Sequence, residues 1–363
     1  MKKFKDINLK VVEWFKVFGP IALAVILAGV IVMIALGMNV GLDFAGGGKL
    51  NVKLGDGLGN NPEYRDDIKN LIVGVIEDNG FSTSDSSIRW SENDTDGIVL
   101  EIGLDYKYND EKINPNDFDA QQNFTKLITG EEGDRDDALI TKIEKAVNEY
   151  SDENLDGVIS LNESIGFNVV NGSTAQNTLK NAIWATIVAV AVILVYIVIR
   201  FTLSSGLAAI IALCHDVLVM ISLTTIFRIE VNTTFIAAIV TIVGYSINAT
   251  IVIFDRIREL KSLDSLKSAT DSELANRAVK DTLGRSILTT ITTLIVILVL
   301  AVVCEIMGVT TMAQFALPIV FGLVAGFYSS VFLSASIWVY LRKFGVVLKK
   351  WLATLREKSA SKK

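Results

Sequence analysis

Six apolar runs, each about as long as a membrane-spanning helix, restrict what this chain can fold into. A helix that crosses the hydrocarbon core of a bilayer needs about 20 consecutive, mainly apolar residues. The first run is too long for the core of a signal peptide, roughly 7–15 residues, so we interpret it as a retained helix. The sequence therefore predicts a polytopic α-helical membrane protein with six transmembrane helices. They are placed at 17–38, 181–201, 206–227, 233–254, 286–307 and 315–341, the last five forming a bundle over 181–341.

The charged residues are separated along the chain rather than mixed. Residues 43–179 contain 28 Asp and Glu but only 11 Lys and Arg, a net charge of −17, whereas the rest of the chain has a net charge of +11. An acidic, water-soluble domain is thus inserted into a basic, apolar membrane protein. The pattern excludes a single soluble domain, and it excludes a nucleic-acid-binding protein that relies on overall basic charge.

The basic residues also predict the orientation of the helices. Lys and Arg are enriched in the N-terminal segment 1–16, in a loop at 255–285 and in a tail at 342–363. The short segments between the other helix ends, 228–232 and 308–314, contain a single Lys or Arg, which is Arg228. Because Lys and Arg concentrate in cytoplasmic loops, both termini are predicted to be cytoplasmic. Residues 39–180 then form an extracytoplasmic domain.

Alternating and helical apolar patterns predict the fold of that domain. A strand at 50–54 and a helix near 62–79 are followed by strands near 87–91 and 97–104. A second helix near 138–150 and a last strand near 157–163 complete the order βαββαβ, which is that of an α+β, ferredoxin-like domain. The acidic segment 105–137 interrupts this order, and its composition predicts a long loop or insertion.

No motif in the sequence indicates an enzyme, a cofactor or a metal site. Gly46, Gly47 and Gly48 precede Lys49 as in a phosphate-binding loop, but Leu50 stands where such a loop has Ser or Thr. We interpret these glycines as allowing a sharp turn where the chain leaves the membrane. The two cysteines lie inside predicted spans, which favours neither a disulfide framework nor a metal site.

A few polar residues fall inside the predicted spans, where a charged group costs roughly 2.5–3.5 kcal/mol or more. Asp216 lies near the midpoint of the third span, next to His215, the only histidine. We expect a proton relay through Asp216, with Tyr245, Ser246 and Asn248 of the fourth span supplying hydrogen bonds. The alternative is a structural aspartate held by His215 or by a capping group. His215 itself is expected to point to a different face of its helix, and the sequence leaves open whether it packs, bonds to the backbone or transfers a proton.

Small residues recur every four positions in the sixth span. Gly322, Gly326, Ser330 and Ser334 share one face, a pattern that predicts close packing against another helix. The sequence leaves open whether that helix belongs to the same chain or to another subunit.

Three segments together resemble the SecF proteins of the SecD/SecF family, in the resistance-nodulation-division superfamily. They are Gly41–Phe44 with Gly46 and Gly47, Gly206–Leu213 leading to His215 and Asp216, and the stretch Gly244–Glu259 with its Gly-Tyr-Ser-Ile-Asn sequence. The resemblance covers nearly the whole chain. Within these motifs we single out Asp43, Gly46, Gly47, His215, Gly244, Asp255 and Arg258.

The resemblance implies a subunit of the bacterial protein translocase in the cytoplasmic membrane. Such a subunit pairs with SecD beside the SecYEG channel and uses the proton-motive force to help draw an unfolded polypeptide across the bilayer. It has no cofactor, enzymatic activity or nucleic-acid partner. By position, Asp216 corresponds to the membrane carboxylate and Arg256 to a basic partner at the end of the fourth span.

Two departures from the family pattern keep other readings open. The family usually has Asp after the motif asparagine, whereas this chain has Ala249, and the acidic segment 105–137 is untypical. One alternative is a proton-coupled transporter of a small solute or a lipid, as elsewhere in the superfamily. Another is a structural subunit that stabilises SecD without a proton relay of its own.

Overall fold

The architecture was analysed on a computed structural model of the chain. It describes residues 10–55, 64–93, 97–109, 111–113, 117–130, 137–155, 159, 161, 165–170, 172–266, 268–306 and 310–360.

Within the described residues, six helical spans are long and apolar enough to cross a membrane, which confirms the predicted multi-pass architecture. The first five are α1 (Val11–Leu36), α6 (Gly172–Arg200), α7 (Leu203–Ile226), α8 (Thr233–Ser262) and α9 (Asp271–Ile306). The sixth is one long helix in three parts, namely α10 (Thr310–Tyr328), a π-helical segment (Ser329–Ser334) and α11 (Ala335–Ala360).

Several helices extend beyond the predicted spans. The region 255–285 was predicted as a loop, but α8 continues to Ser262 and α9 begins at Asp271, so most of it is helical. Helix α1 begins at Val11, where Val11 and Val12 are buried and the Val12 backbone N–H donates to Asn276 Oδ1 of α9 at 3.2 Å. These extensions form because helices that leave the apolar layer continue to pack on one another.

Burial divides the six spans into two groups. The apolar windows of α7, α8 and the sixth helix are 50, 44 and 61% buried within the chain, whereas those of α1, α6 and α9 are at most 11% buried. The outer three expose large aliphatic side chains such as Ile31, Val192 and Ile295. A hydrophobic stripe that faces no protein is expected to face lipid or another subunit. The inner three helices therefore form the centre of the bundle.

The inserted domain lies between α1 and α6 and has the predicted α+β order. It consists of α2 (Leu42–Ala45), β1 (Gly47–Gly55), α3 (Arg65–Asp78), β2 (Phe81–Asn93), β3 (Gly97–Tyr108), β4 (Glu111–Lys112), α4 (Phe118–Thr129), α5 (Leu139–Asn154) and β5 (Ile165–Val170). The main strands are antiparallel in the order β2-β3-β1-β5, which is the ferredoxin-like arrangement. Alternate residues of β1 and β3, such as Leu50 and Leu100, pack on the apolar stripes of α3 and α5.

The prediction of a long loop over 105–137 was wrong in its centre. Helix α4 lies there, capped by Asp117, whose Oδ1 accepts from the backbone N–H groups of Asp119 and Ala120 at 3.0 and 3.3 Å. Phe124 and Ile128 of this helix are fully buried in the domain core. Two apolar residues four apart are enough to dock a short amphipathic helix, although the segment as a whole is polar and acidic.

The last strand also lies later than predicted. Residues 157–163 were expected to form it, but β5 spans Ile165–Val170, and the described residues Ile159 and Leu161 are not in a strand. Their backbone N–H groups donate to side chains of α5 instead, to Ser151 Oγ at 2.9 Å and to Asn148 Oδ1 at 2.6 Å. The side chains of α5 therefore accept from backbone N–H groups that would otherwise pair with a neighbouring strand.

Two glycines at the start of the inserted domain form the sharp turn predicted where the chain leaves the membrane. Gly46 and Gly47 have φ values of 74° and 150°, which side-chain-bearing residues rarely adopt. A Cβ atom on Gly47 would also lie 2.4 Å from the carbonyl oxygen of Leu104. The chain thus passes from α2 directly into the central strand β1.

Candidate functional site

A single carboxylate lies at the point where the three inner helices meet. Asp216 of α7 is fully buried. Its Oδ2 accepts hydrogen bonds from Ser246 Oγ of α8 and from Ser329 Oγ of the sixth helix, the latter at 2.8 Å. Its Oδ1 lies 2.9 Å from His215 Nδ1. Each inner helix therefore contributes at least one polar group to a cluster around Asp216.

The contacts of Asp216 are those that a carboxylate, which only accepts hydrogen bonds, can use. The two hydroxyls and an imidazole N–H satisfy an ionised carboxylate, which can only accept hydrogen bonds. A protonated carboxyl group must donate one bond, so at least one of these neighbours has to turn or become an acceptor. Because the cluster is enclosed by apolar helices, any unsatisfied group there is costly, and the two protonation states require different arrangements.

The stripe of small residues brings α8 close to the sixth helix. A Cβ on Gly322 would lie 2.4 Å from Ile242 Cγ1, and one on Gly326 would lie 3.2 Å from Ser246 Cβ. Four residues further along, Ser330 Oγ is 3.2 Å from Thr250 Oγ1. Both helices advance by four residues from contact to contact, so they run parallel. Gly322, Gly326 and Ser330 of the predicted face thus pack against α8 of the same chain.

The π-helical segment begins at Ser329, the residue that contacts Asp216. Wider helical turns leave backbone carbonyls without their usual donors, and hydroxyls replace these donors here. Ser334 Oγ donates to the carbonyl oxygen of Ser330 at 2.8 Å, and Ser329 Oγ also lies 3.2 Å from that of Gly326. Single-turn π segments are rare and occur mainly at functional sites. Ser329 was missed from the sequence, where only the serine next to it, Ser330, fitted the four-residue pattern.

His215 belongs to the same cluster, so the expectation that it points to a different face was wrong. Its ring folds back onto the neighbouring carboxylate and stacks on Tyr328, with ring centroids 6.0 Å apart and an interplanar angle of 22°. The Tyr328 hydroxyl donates to the carbonyl oxygen of Phe18 in α1. Through these contacts the cluster also reaches the first span.

Tyr245 and Asn248 do not contact Asp216, which corrects part of the predicted relay. The Tyr245 hydroxyl donates to Thr290 Oγ1 of α9 at 3.1 Å, and Asn248 is exposed. Both line a crevice of about 30 Å³ between α8 and α9. The other lining residues are Ala249, Val252, Arg285, Ser286, Thr289 and Thr290.

Arg285 is the second functional candidate that was missed. It is exposed at the crevice, and no hydrogen bond or ion pair joins it to another of the described residues. The crevice contains no carboxylate among the described residues that line it, and Ala249 occupies the position where the family pattern has Asp. The sequence signal of Arg285 is an arginine directly before the fifth apolar run.

Arg256 lies away from the cluster, contrary to its predicted part in the relay. It is ten residues beyond Ser246 on α8, about 15 Å along the axis. Its guanidinium binds Asp281 of α9 at 2.5 and 2.9 Å and Glu259 at 2.7 Å. The neighbouring Asp255 pairs with Arg200 at 3.4 Å and with Arg258 at 3.3 Å. These motif residues thus join helix ends and do not approach Asp216.

Asp43 connects the start of the inserted domain to α8. Its Oδ2 accepts from the Thr233 backbone N–H at 3.2 Å and from Thr233 Oγ1 at 2.7 Å, at the first residue of α8. The preceding residue, Asn232, caps the same helix and donates to Gln314 Oε1 of the sixth helix at 3.1 Å. An anionic group at a helix N-terminus satisfies free N–H groups and complements the helix dipole. Helix α8 therefore contacts the inserted domain through its first residue, Thr233, and contacts Asp216 through Ser246, 13 residues later.

Gly244 is the one motif residue for which the structure gives no packing reason. A Cβ at this position would meet no atom within 4 Å. It lies on the same exposed side of α8 as Asn248.

Comparison with known proteins gives the family of this chain. The model of the family "Protein export membrane protein SecD/SecF, C-terminal" matches residues 151–344. The protein translocase subunit SecF of Alicyclobacillus acidocaldarius is 30% identical over 345 residues, which cover 94% of each chain. SecF of Petrotoga mobilis is 30% identical over 325 residues, covering 89% of this chain and 92% of the relative.

Longer relatives contain the same unit as a part. The translocase subunit SecDF of Bacillus subtilis is 29% identical over 328 residues, which cover 90% of this chain but 37% of the relative. The crystal structure of SecDF from Thermus thermophilus, described as a translocon-associated membrane protein, has the same fold, with a TM-score of 0.65 at 24% identity. The match covers 93% of this chain and 39% of that one. On the family model and the nearly full-length SecF relatives together, the chain belongs to the SecD/SecF family of protein export membrane proteins, among its SecF subunits.

Proposed function

We propose that the chain is the SecF subunit of a bacterial protein translocase and that protonation of Asp216 drives its working cycle. In this proposal it lies in the cytoplasmic membrane with both termini inside. It pairs with a SecD-like chain beside the SecYEG channel and acts on an unfolded polypeptide on the outer side, without enzymatic activity of its own. The observation that carries the proposal is the full burial of Asp216 among donors from three helices.

The contacts of Asp216 suggest how protonation is converted into movement. When the carboxylate gains a proton it loses its charge, so its Oδ2 becomes a weaker acceptor for the hydroxyls of Ser246 and Ser329. Ser329 has an alternative acceptor in the carbonyl oxygen of Gly326. Release of Ser329 from Asp216 loosens the contact between α7 and the sixth helix. Since α8 is bound to Asp216 through Ser246 and to Asp43 through Thr233, a shift at the cluster is passed to the extracytoplasmic domain.

The same geometry favours H⁺ over Na⁺ as the coupling ion. The Ser246 and Ser329 hydroxyls touch Asp216 Oδ2 directly, at hydrogen-bonding distance. A bound metal ion requires its oxygen ligands to surround a space between them. Oxygens that already bond to one another share a proton, and they leave no such space.

The crevice between α8 and α9 supports the pairing with a SecD-like chain. Arg285 is exposed there without a partner among the described residues, next to the start of the apolar part of α9, and its guanidinium is available to bind a carboxylate of another subunit. The SecDF relative of Bacillus subtilis aligns with this chain over only 37% of its length. The rest of that relative is available to supply a surface that faces Arg285. A carboxylate of the partner facing Arg285 would take the place left by Ala249.

Replacing Arg285 with glutamine is expected to weaken the complex with the SecD-like chain by about tenfold or more, because it leaves the facing carboxylate unpaired. The dissociation constant in detergent micelles or nanodiscs, measured by fluorescence with a labelled partner, checks this. Arg258→Gln serves as the matched control, since Arg258 is exposed near the end of α8 and pairs only with Asp255 among the described residues. Equal affinities for both variants would contradict the proposed interface.

The proton-driven function is tested with the whole complex in vesicles. The chain, its SecD-like partner and the channel are reconstituted, a polypeptide is arrested part-way, and its further movement is followed after ATP is removed. We expect movement to start when a proton gradient is imposed and to stop when a protonophore is added. A sodium gradient of the same size should have no effect. Movement that ignores the proton gradient, or that follows sodium alone, would disprove the coupling proposed here.

A further inference from the structure

The second ring nitrogen of His215 is a buried polar atom with no hydrogen-bond partner among the described residues. Nδ1 contacts Asp216 at 2.9 Å, while Nε2 is enclosed by the protein and bonds to none of them. Buried polar groups are paired in nearly all cases, because an unpaired one has lost its hydrogen bonds to water without gaining others. Nε2 of His215 is therefore an unpaired buried atom on the same ring that contacts Asp216, and this points to a functional role.

The chemistry of imidazole supplies that explanation. In the neutral ring one nitrogen carries the proton and the other has a lone pair. When Nδ1–H donates to the ionised carboxylate of Asp216, the lone pair of Nε2 is free to accept a proton. The ring thus links a proton-accepting atom to Asp216 Oδ1 through its two nitrogens.

The surroundings hold the ring in the position that this transfer needs. Tyr328 stacks on one face, and its hydroxyl is bound to the carbonyl oxygen of Phe18. The ring of Phe18 in turn stacks on Phe332 at a centroid distance of 4.2 Å. Among the residues that the structure describes, the titratable groups in contact with the imidazole are Asp216 on its own helix and Tyr328 on the sixth helix. The Tyr328 hydroxyl donates away from the ring, so Tyr328 is a positioning residue and does not donate to the imidazole.

We propose that His215 is the residue through which protons reach and leave Asp216. This inference rests on the proposed proton-driven function. The His215 side chain is 12% exposed, and a hydronium ion that reaches the ring gives its proton to the lone pair of Nε2, leaving a water molecule and an imidazolium. The Nδ1–H bond then breaks as its proton forms an O–H bond with Oδ1 of Asp216. The result is a protonated carboxyl group and a neutral ring whose proton is now on Nε2. Release follows the same two steps in reverse.

The mechanism makes the tautomer of His215 depend on the protonation state of Asp216. With Asp216 ionised, the proton of the neutral ring is on Nδ1, and with Asp216 protonated it is on Nε2. His215 is the only histidine in the chain, so its ring can be observed without interference. The exchange of tautomers shows that the ring follows the protonation of Asp216, and the export rates of His215 variants separate proton transfer from mere support of the carboxylate.

Solid-state NMR of the wild-type chain with ¹⁵N-labelled histidine tests the tautomer directly. The chain is bound to its partner in lipid, and the spectra are recorded as a function of pH. We expect the protonated nitrogen to change from Nε2 to Nδ1 as the pH rises and Asp216 ionises. In an Asp216→Asn chain this exchange should be absent. A single tautomer over the whole pH range in the wild type would overturn the proposal.

A functional arm separates this inference from the proposed function. His215→Gln keeps a side-chain N–H for Asp216 but cannot carry a proton, and we expect its gradient-driven export to fall roughly a hundredfold. Added imidazole should restore part of the rate in His215→Ala. If His215→Gln exports like the wild type while Asp216→Asn does not, only the role of His215 is wrong. If Asp216→Asn also exports normally, the proton-driven function itself is wrong.

Discussion

Replacing Asp216 with asparagine is expected to abolish the part of export that depends on the proton gradient. The amide has almost the same shape and can still bond to Ser246 and Ser329, because hydroxyls both donate and accept. It cannot gain or lose a proton, so the cluster is held in one arrangement. A potential of 100 mV contributes about 2.3 kcal/mol per charge moved, a factor of about 50 in a rate or an equilibrium. We expect the loss of that factor.

The measurement is the gradient-driven movement of an arrested polypeptide in reconstituted vesicles. Asp255→Asn is the matched control, because Asp255 is a partly exposed carboxylate of α8 that pairs with Arg200 at 3.4 Å. The control should keep its gradient response. If the subunit only stabilises its SecD-like partner, the Asp216→Asn chain and the wild type should respond equally. That result, with the complex intact, would favour the structural reading over the proton relay.

Replacing Gly29 with leucine is expected to have the largest effect on stability. Helix α1 crosses α7 at this point, and a Cβ on Gly29 would lie 2.2 Å from Ser222 Cβ and 2.5 Å from Ser222 Cα. The second of these is a backbone atom, so no change of rotamer can make room. Forcing a side chain into a closely packed interface usually costs about 1–3 kcal/mol and occasionally more. We expect the free energy of unfolding to fall by about 3 kcal/mol or more.

Thermal unfolding in detergent, followed by tryptophan fluorescence, measures this loss. Gly19→Leu is the control in the same helix, since a Cβ there would meet only the ring of Phe15 at 3.7–3.9 Å. We expect the control to unfold close to the wild type. If both variants unfold at the same temperature, the close crossing of α1 and α7 is not present in the protein.

The parts of this structure that the sequence predicts well depend on long, simple patterns. Six apolar runs are enough to place six helices, because a bilayer requires a minimum length of apolar chain. Asp216 stands out because a carboxylate at that depth is rare, and Ser246 follows because α7 and α8 are consecutive antiparallel neighbours. The ferredoxin-like order follows from the alternation of apolar residues in β1 and β3 and from the helical stripes of α3 and α5.

The details that were missed depend on contacts between distant segments or on local departures from regular geometry. Ser329 lies where the sixth helix changes to π geometry, which shifts side chains around the axis and breaks the four-residue pattern. His215 reaches back to its own neighbour, which a simple helical wheel does not anticipate. Arg256 belongs to a sequence motif, but its side chain is positioned by the hydrogen bonds it donates to Asp281, 25 residues later in the chain. The end of the domain was misplaced because Asn148 and Ser151 bind the backbone that would otherwise enter the sheet.

The length of α9 has a mechanical consequence. At about 1.5 Å per residue its 36 residues span about 54 Å, whereas the apolar layer of a bilayer is about 30 Å thick. The excess projects beyond the membrane as a stiff column braced by Arg256–Asp281, Lys261–Asp271 and Arg342–Asp271 ion pairs. A column of this kind acts as a lever arm. A tilt of about 5° at the level of Thr290, 19 residues from the start of α9 at Asp271, displaces that end by about 2 Å.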